Sequence, residues 1–446
     1  MKKINFLKFL PLLAMMVFFS CKEESSIKIE SSISLDKNEI VLNPGGTATL
    51  NAKLMQAIDG DRVTTGDDVS LTWTSSNDSI ATVSYGVVTA VTGGEVEIIV
   101  SAANVDNVPE KRCKVVVRDV YVAGEFGDNT SKTACVWKNN KVFYALASDA
   151  NAFANAMVVT DTKDVYVVGN VANVGKVWKN GAEVASLGTA LNAIWVESND
   201  VYVAGVDNTT AKVWRNGTEL YTAENATFKS VAVVSDKVYA GGFISFEGLE
   251  NDSAAIWTNG TVKILAKGVV NALSTDGSDL YFAGKDVVAG KGIVWKNNQE
   301  LYTFEKDTEA TGLALVDNNL YVCGFYGGST SAIKAKVWKN GVEIPSAELD
   351  KEYLSEFVVG KNTEGADQYV YTELSANGKV KASSVYISLD DLYVSGYFDN
   401  TLTSAVYWKN GKSQKLEKDN ANEVIMNGSD YLQGKNRARA TSIVVK

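Results

Sequence analysis

The chain has 446 residues, of which 46% are hydrophobic, 22% charged and 10% aromatic, and its formal net charge is −10. There is no histidine, which removes imidazole acid–base catalysis, His-activated Ser or Cys nucleophiles and imidazole metal ligation together. The acidic balance excludes a broad basic footprint for nucleic acid, and 36 glycines against 4 prolines, amid abundant Val, Thr, Tyr and Trp, point to an all-β chain joined by Gly and Asn turns.

Residues 1–20 read as a targeting segment. Lys2, Lys3 and Lys8 flank an apolar run from Leu10 to Phe19 that ends at Ser20-Cys21, a basic start, short apolar stretch and small residue in the order of a secretory signal. The run is too short for a transmembrane helix. With cysteine at the cut site, the segment resembles a bacterial lipoprotein signal, which implies lipidation of Cys21; an ordinary signal peptide cleaved elsewhere is the alternative. Residues 21–27 form a polar tether, and its Lys22-Glu23-Glu24 is similar to the acidic export tag of surface lipoproteins in some Gram-negative bacteria. Acyl chains would hold the protein to a membrane without a spanning helix. The expectation is therefore an outer-membrane, lipid-anchored protein facing the cell exterior.

The remaining cysteines, Cys113, Cys135 and Cys323, are odd in number and widely spaced, with neither a disulfide framework nor metal-ligand spacing. Each lies in a strand-like run and reads as a small buried hydrophobe.

Residues 28–117 have the strand–turn rhythm of a β-sandwich. Ile33–Leu35 and Glu39–Val41 lead to the turn Pro44-Gly45-Gly46 and the alternating run Thr47–Ala52. Leu71–Ser76 follows with Trp73 facing an inter-sheet core, then Ser79–Val83, Gly86–Ala90, Gly93-Gly94 and a strand near Glu97–Ser101. The order Leu-Asp-Lys, Pro-Gly-Gly-Thr, Trp-Thr-Ser-Ser-Asn, Ile-Ala-Thr-Val, Gly-Val-Val-Thr-Ala resembles the bacterial Ig-like group 2 domain. That resemblance implies a spacer or adhesive module and carries no catalytic residues.

Residues 118–446 repeat one pattern. Tyr-x-x-Gly occurs at Tyr121, Tyr166, Tyr202, Tyr239, Tyr281, Tyr321 and Tyr393; it alternates with Trp-x-Asn-(Gly/Asn) at Trp137, Trp178, Trp214, Trp257, Trp295, Trp338 and Trp408. A third element pairs a small residue with a large aliphatic one, from Ala156-Met157 to Ser442-Ile443. Each unit is then strand a (small–aliphatic), strand b (Tyr-x-x-Gly), strand c (ending in Trp), an Asn-Gly hairpin turn and strand d. One such sheet cannot bury both faces, whereas sheets arranged radially cover one another. The expectation is a seven-bladed β-propeller, and the repeats are similar to those of bacterial lipoproteins with Val-Tyr-Val-Ala-Gly and Trp-Lys-Asn-Gly propeller repeats. The first unit lacks strand a and the seventh strand a stands alone at Ala440–Val445, so the C-terminal strand is expected to complete the first blade. Asp430–Gly434 mimics strand b without a following tryptophan, and eight blades is the alternative.

Antiparallel order puts the a–b and c–d turns on one rim and the b–c and d–a connections on the other. The spacing from signature Gly to next Trp varies from 9 to 15 residues, and the connections after Trp338 and Trp408 are long. The variation therefore falls on one rim. That rim carries Phe126, Asp128, Phe243, Phe246, Phe325, Tyr326, Tyr397, Phe398 and Asp399, and the insertion after Trp338 adds Tyr353 and Phe357. Rings beside Asn and Asp suit sugars, which stack their C–H faces and hydrogen-bond through their hydroxyls; satellite cores under the loops are the bland alternative. Trp195 and Tyr386 on strand a either line the central channel or pack between blades.

The leading expectation is a non-enzymatic surface lipoprotein that binds an extracellular glycan or surface protein, with no cofactor and no metal. A polysaccharide-processing enzyme using paired carboxylates and a protein–protein scaffold in an envelope complex are the alternatives.

Overall fold

The computed structural model describes residues 29–58, 61–64, 71–103, 107–127, 131–149, 151–248, 252–327, 333–344, 356–361, 367–371, 379–389, 391–399, 403–410, 412–416 and 437–446. Among them every regular element is a strand. Cys21, Asp128, Tyr353 and the Asp430–Gly434 motif lie outside the described residues, as do the side chains of Phe357, Phe398 and Asp399.

The first module is a sandwich. One sheet carries Glu39–Leu42 in parallel with Lys111–Val117, followed by Gly94–Ala102 and Leu71–Ser75. Smaller sheets formed by Ile29–Leu35 with Ala52–Ile58, and by Thr47–Thr49 with Val87–Ala90 and Ala81–Ser84, close over it. Trp73 packs against both buried clusters, one around Leu50, Val88 and Ile98, the other around Ile33, Leu54 and Val100. Cys113, Cys135 and Cys323 are all free and buried, packed as small apolar groups.

The second module is propeller-like. Strands a–d occur in that sheet order in every repeat. Repeat 1 takes its strand a from the chain end: Arg437–Val445 pairs antiparallel with Val120–Gly127. The backbones of Asp119 and Lys446 exchange N–H···O bonds of 2.7 and 3.0 Å at the seam. Innermost strands touch in cyclic order. Arg437–Val445 meets Phe153–Val159, contact continues through each later strand a, and Lys379–Ser388 of repeat 7 returns to Arg437–Val445. One connection differs from expectation: strand d of repeat 4 and strand a of repeat 5 run together as Thr261–Thr275, bent at Gly268 with φ +143°.

The signature residues have physical reasons. All seven tryptophans are buried, from 1% to 5% exposed, between adjacent sheets; each contributes roughly 4–6 kcal/mol on area alone before entropic costs. Each signature glycine faces a bulge in strand a. A Cβ there would lie 1.9–2.2 Å from a backbone carbonyl oxygen of that strand, as Gly169 would from Phe153. The bulged residues themselves stitch neighbouring repeats. Asn155 donates to the Leu191 carbonyl at 2.8 Å, Asn192 to Phe228 at 2.8 Å, Asn271 to Ala310 at 3.0 Å, Thr311 to Ala382 at 2.8 Å, and Thr441 to Ala154 at 2.6 Å. Side-chain-to-backbone bonds near the axis thus tie sheets that share no ladder. Trp195 and Tyr386 pack against buried clusters between sheets.

Candidate functional site

The two rims are built differently, beginning with the Asn-Gly turns. The turn asparagine of every repeat (Asn139, Asn180, Asn216, Asn259, Asn297, Asn340, Asn410) adopts a φ between +46° and +51°, a conformation that asparagine tolerates better than most residues. Its Oδ1 accepts the backbone N–H of the residue before the signature tyrosine at 2.7–2.9 Å. In five repeats its Nδ2 donates to the preceding aspartate, Asp119, Asp164, Asp200, Asp279 or Asp391. In those five repeats the Lys or Arg after the tryptophan pairs with that same aspartate and lies 5.0–5.9 Å from the signature tyrosine ring. Repeat 4 changes both partners at once: Lys237 stands at the aspartate position and Thr258 at the cation position, which avoids a like-charge contact.

This turn rim carries the Ig-like module. Asn43, 3% exposed, donates to the Ser388 carbonyl at 2.5 Å and to Asp391 at 2.8 Å, and its Oδ1 accepts from the Ser388 hydroxyl at 3.0 Å. Arg118 donates to the Ser388 hydroxyl at 2.7 Å, and Lys409 donates to the Pro44 carbonyl at 2.5 Å. A Cβ on Gly93 would lie 2.2 Å from Asp119 Oδ1, so that loop also abuts repeat 1.

Those sequence-predicted residues whose side chains are described lie on the opposite rim, and the structure separates them. Phe126 is half-buried, packs on the cluster between repeats 7 and 1, and lies 6.2 Å from the Trp137 ring; it is core. Phe243 and Phe246 sit on repeat 4, the second 45% exposed. Phe325 and Tyr397 lie at the same register on adjacent repeats 6 and 7, each under a cation from the next repeat. Lys381 Nζ is 4.8 Å from the Phe325 ring, and the Arg439 guanidinium is 5.0 Å from Tyr397. Tyr326, 36% exposed, has Lys336 Nζ at 5.8 Å. Cation–π contacts at exposed sites are each worth about 0.5–1 kcal/mol.

The sequence reading missed Lys381, Arg439 and Glu125. The register opposite the residue after the signature glycine holds Arg439, Phe153, Ala190, Thr227, Val269, Glu309 and Lys381 in repeats 1 to 7. Aligning the repeats at that register isolates the charges on repeats 6, 7 and 1. Glu125, 4% exposed, pairs across the ladder with Arg439, whose Nε lies 4.0 Å from its carboxylate. Burial pushes its carboxyl up to about 7 against the opposing pull of Arg439 and Lys132. Among the described residues no three Cys, Asp or Glu side chains cluster as metal ligands, and no helix is long and apolar enough to cross a membrane.

Residues 31–114 match the bacterial Ig-like domain (group 2) family. No curated protein matches the chain significantly. Among solved structures, the chain is similar to a quinoprotein alcohol dehydrogenase-like protein from Bacteroides thetaiotaomicron, with 11% identity over 91% of this chain and 96% of that one, at a TM-score of 0.36. It is also similar to a luciferin-regenerating enzyme, with 14% identity over 66% and 92% of the two chains at a TM-score of 0.31. A third is the plexin A4 extracellular region, with 8% identity over 65% and 50% at a TM-score of 0.34. Likenesses this distant carry nothing about activity.

Proposed function

We propose that the protein is a non-enzymatic, outer-membrane surface lipoprotein, lipidated at Cys21, whose second module is a seven-bladed propeller closed by its C-terminal strand. Its b–c rim over repeats 6, 7 and 1 binds an extracellular glycan, with Phe325, Tyr326 and Tyr397 as stacking platforms and Lys381 and Arg439 as hydrogen-bond donors. The observation that carries this reading is the docking of the Ig-like module on the turn rim through Asn43, Pro44 and Arg118. With the spacer seated there, the rim of long connections is the face left for a partner. Stacking on exposed rings under fixed cations is a carbohydrate-type contact, and it needs no reacting groups.

The test is a glycan array with the secreted chain, comparing wild type with Phe325→Ala and Tyr397→Ala. Retention of a glycan class by wild type and its loss in both variants supports the proposal; equal retention by all three refutes the site. Acylation is tested separately, by fatty-acid labelling that Cys21→Ala abolishes. The enzyme reading has one observation in its favour, the buried Glu125 with its raised carboxyl. Glu125-dependent turnover of a polysaccharide by the purified protein would establish it.

A further inference from the structure

The junction between the Ig-like module and repeats 7 and 1 encloses a cleft of about 660 Å³, within the range of small-molecule sites. The Pro44–Gly46 turn forms one wall, and Tyr393, Tyr407, Asn140 and Gln414 line the other.

That second wall breaks the repeat. The residue before the signature tryptophan is Val or Ile in repeats 1 to 6 and Tyr407 in repeat 7. Before the signature glycine stand Ala123, Val168, Ala204, Gly241, Ala283 and Cys323, but Ser395 in repeat 7. Ser395 and Tyr407 face each other across the b–c ladder, so repeat 7 alone places hydroxyls where the others place apolar or small groups. Tyr393 and Ser395 are 0% exposed and Tyr407 is 5% exposed.

Three of these buried polar atoms are unsatisfied. Among the described residues, the Tyr393 hydroxyl and Asn140 Oδ1, both on lining residues, and Ser395 Oγ, behind the lining, have no hydrogen-bond partner. Native proteins rarely group such atoms without water or a ligand between them. In repeats 1, 2 and 5 the lysine after the tryptophan stands 5.0–5.3 Å from the signature tyrosine ring. In repeat 7 the equivalent Lys409 donates to the Pro44 carbonyl and pairs with Asp391 at 2.8 Å. Lys409, held by Pro44 and Asp391, makes no hydrogen bond to the hydroxyl of Tyr393, a residue that lines the cleft. Lys409 and Asp391 neutralise each other, and the other polar side chains lining the cleft are uncharged: amides, two tyrosines and Thr92. A charged ligand would find no counter-ion there, whereas a hydroxylated ring finds both donors and acceptors.

We infer that this cleft is a second binding site, on the face opposite the long-connection rim, for a small neutral polyhydroxylated molecule of one or two sugar rings. Tyr393, Tyr407 and Asn140 are its recognition groups. The inference does not depend on what the other rim binds.

The experiment is a titration of the full secreted chain with glucose, galactose, mannose, N-acetylglucosamine and lactose, read by saturation-transfer NMR and calorimetry. Tyr407→Val and Asn140→Gly restore residues that other repeats carry at the same positions, so both variants retain the fold. The expected result is saturable binding of at least one sugar with a Kd near or below about 1 mM. It weakens tenfold or more in both variants and is unchanged in Leu220→Ala, an exposed position on repeat 3 outside both sites. Binding by none of the five at about 10 mM, equal binding in the cleft variants, or a sugar-soaked crystal with only ordered water in the cleft would each overturn the assignment.

Discussion

Asn43 and Ser388, 345 residues apart, hydrogen-bond to each other twice, amide to carbonyl at 2.5 Å and hydroxyl to amide oxygen at 3.0 Å. Each is 3% exposed. Asn43 also reaches Asp391, which Lys409 and Asn410 share. The Ig-like module is therefore held by a buried polar network that a single substitution can break. Asn43→Ala leaves the Ser388 hydroxyl and one Asp391 contact without their partner, at a cost of about 2–3 kcal/mol to the docked state. In calorimetry the wild type melts as one unit, and the variant shows an earlier, separate transition for residues 28–117.

Glu125 gives the chain a pH signature. Its folded carboxyl titrates at about 7, above the ordinary value of 4.5, so the folded state binds the proton more tightly than the unfolded one. Its contribution is neutral below pH 4.5; it becomes progressively destabilising as pH rises toward 7, and it is constant above that. The full penalty is about 3 kcal/mol. Glu125→Gln removes this slope and raises stability at pH 8, measured by denaturant midpoints across pH 4–8. An unchanged slope contradicts the burial of this carboxylate.

The signature glycines separate steric need from turn preference. Gly169→Ala would place its Cβ 1.9 Å from the Phe153 oxygen, and because that atom is backbone in a bulge, strand a must move; the cost is about 3 kcal/mol or more. Gly217 has a φ of +80° with nothing within 4 Å of its Cβ position. Gly217→Ala costs about 1 kcal/mol from backbone strain alone. Equal midpoints for the two variants would count against the bulge as the reason for Tyr-x-x-Gly.

Repeat 4 offers a swap. Lys237→Asp with Thr258→Lys recreates the pair that repeats 1, 2, 5 and 7 carry, as Asp164 and Lys179 do at 2.9 Å. The double variant should exceed the summed effect of the single changes, and the excess should shrink in about 1 M salt, where exposed pairs are screened. Strict additivity would show that these pairs contribute nothing measurable.

Much of this architecture is written in the sequence because it repeats. Seven tyrosines, glycines and tryptophans in strict alternation mark strands b and c, and the orphan Ser442-Ile443 pair points to strand exchange between the chain ends. The Ig-like module was legible from Trp73 and its flanking runs, and the family match to residues 31–114 agrees. The candidate site was less legible. Phe126 stands two residues after its signature glycine, whereas Phe325 and Tyr397 stand one after theirs, so period-2 alternation turns its ring to the other face, onto Trp137. Arg439 and Lys381 escaped notice because no local motif marks them. Their meaning comes from reaching the preceding repeat's ring, which requires neighbouring sheets to pack face to face.

The account depends most on the chain end. Strand Arg437–Val445 supplies Ala440, Ile443 and Val445, each 0–2% exposed, to the core between repeats 7 and 1, and Thr441 bridges to Ala123 and Ala154. Deleting residues 439–446 and following unfolding of residues 118–438 by calorimetry and tryptophan fluorescence tests it most directly. The account predicts loss of the cooperative transition across all seven repeats. A truncated chain that melts at the parent temperature, with the parent's sharpness, would contradict it.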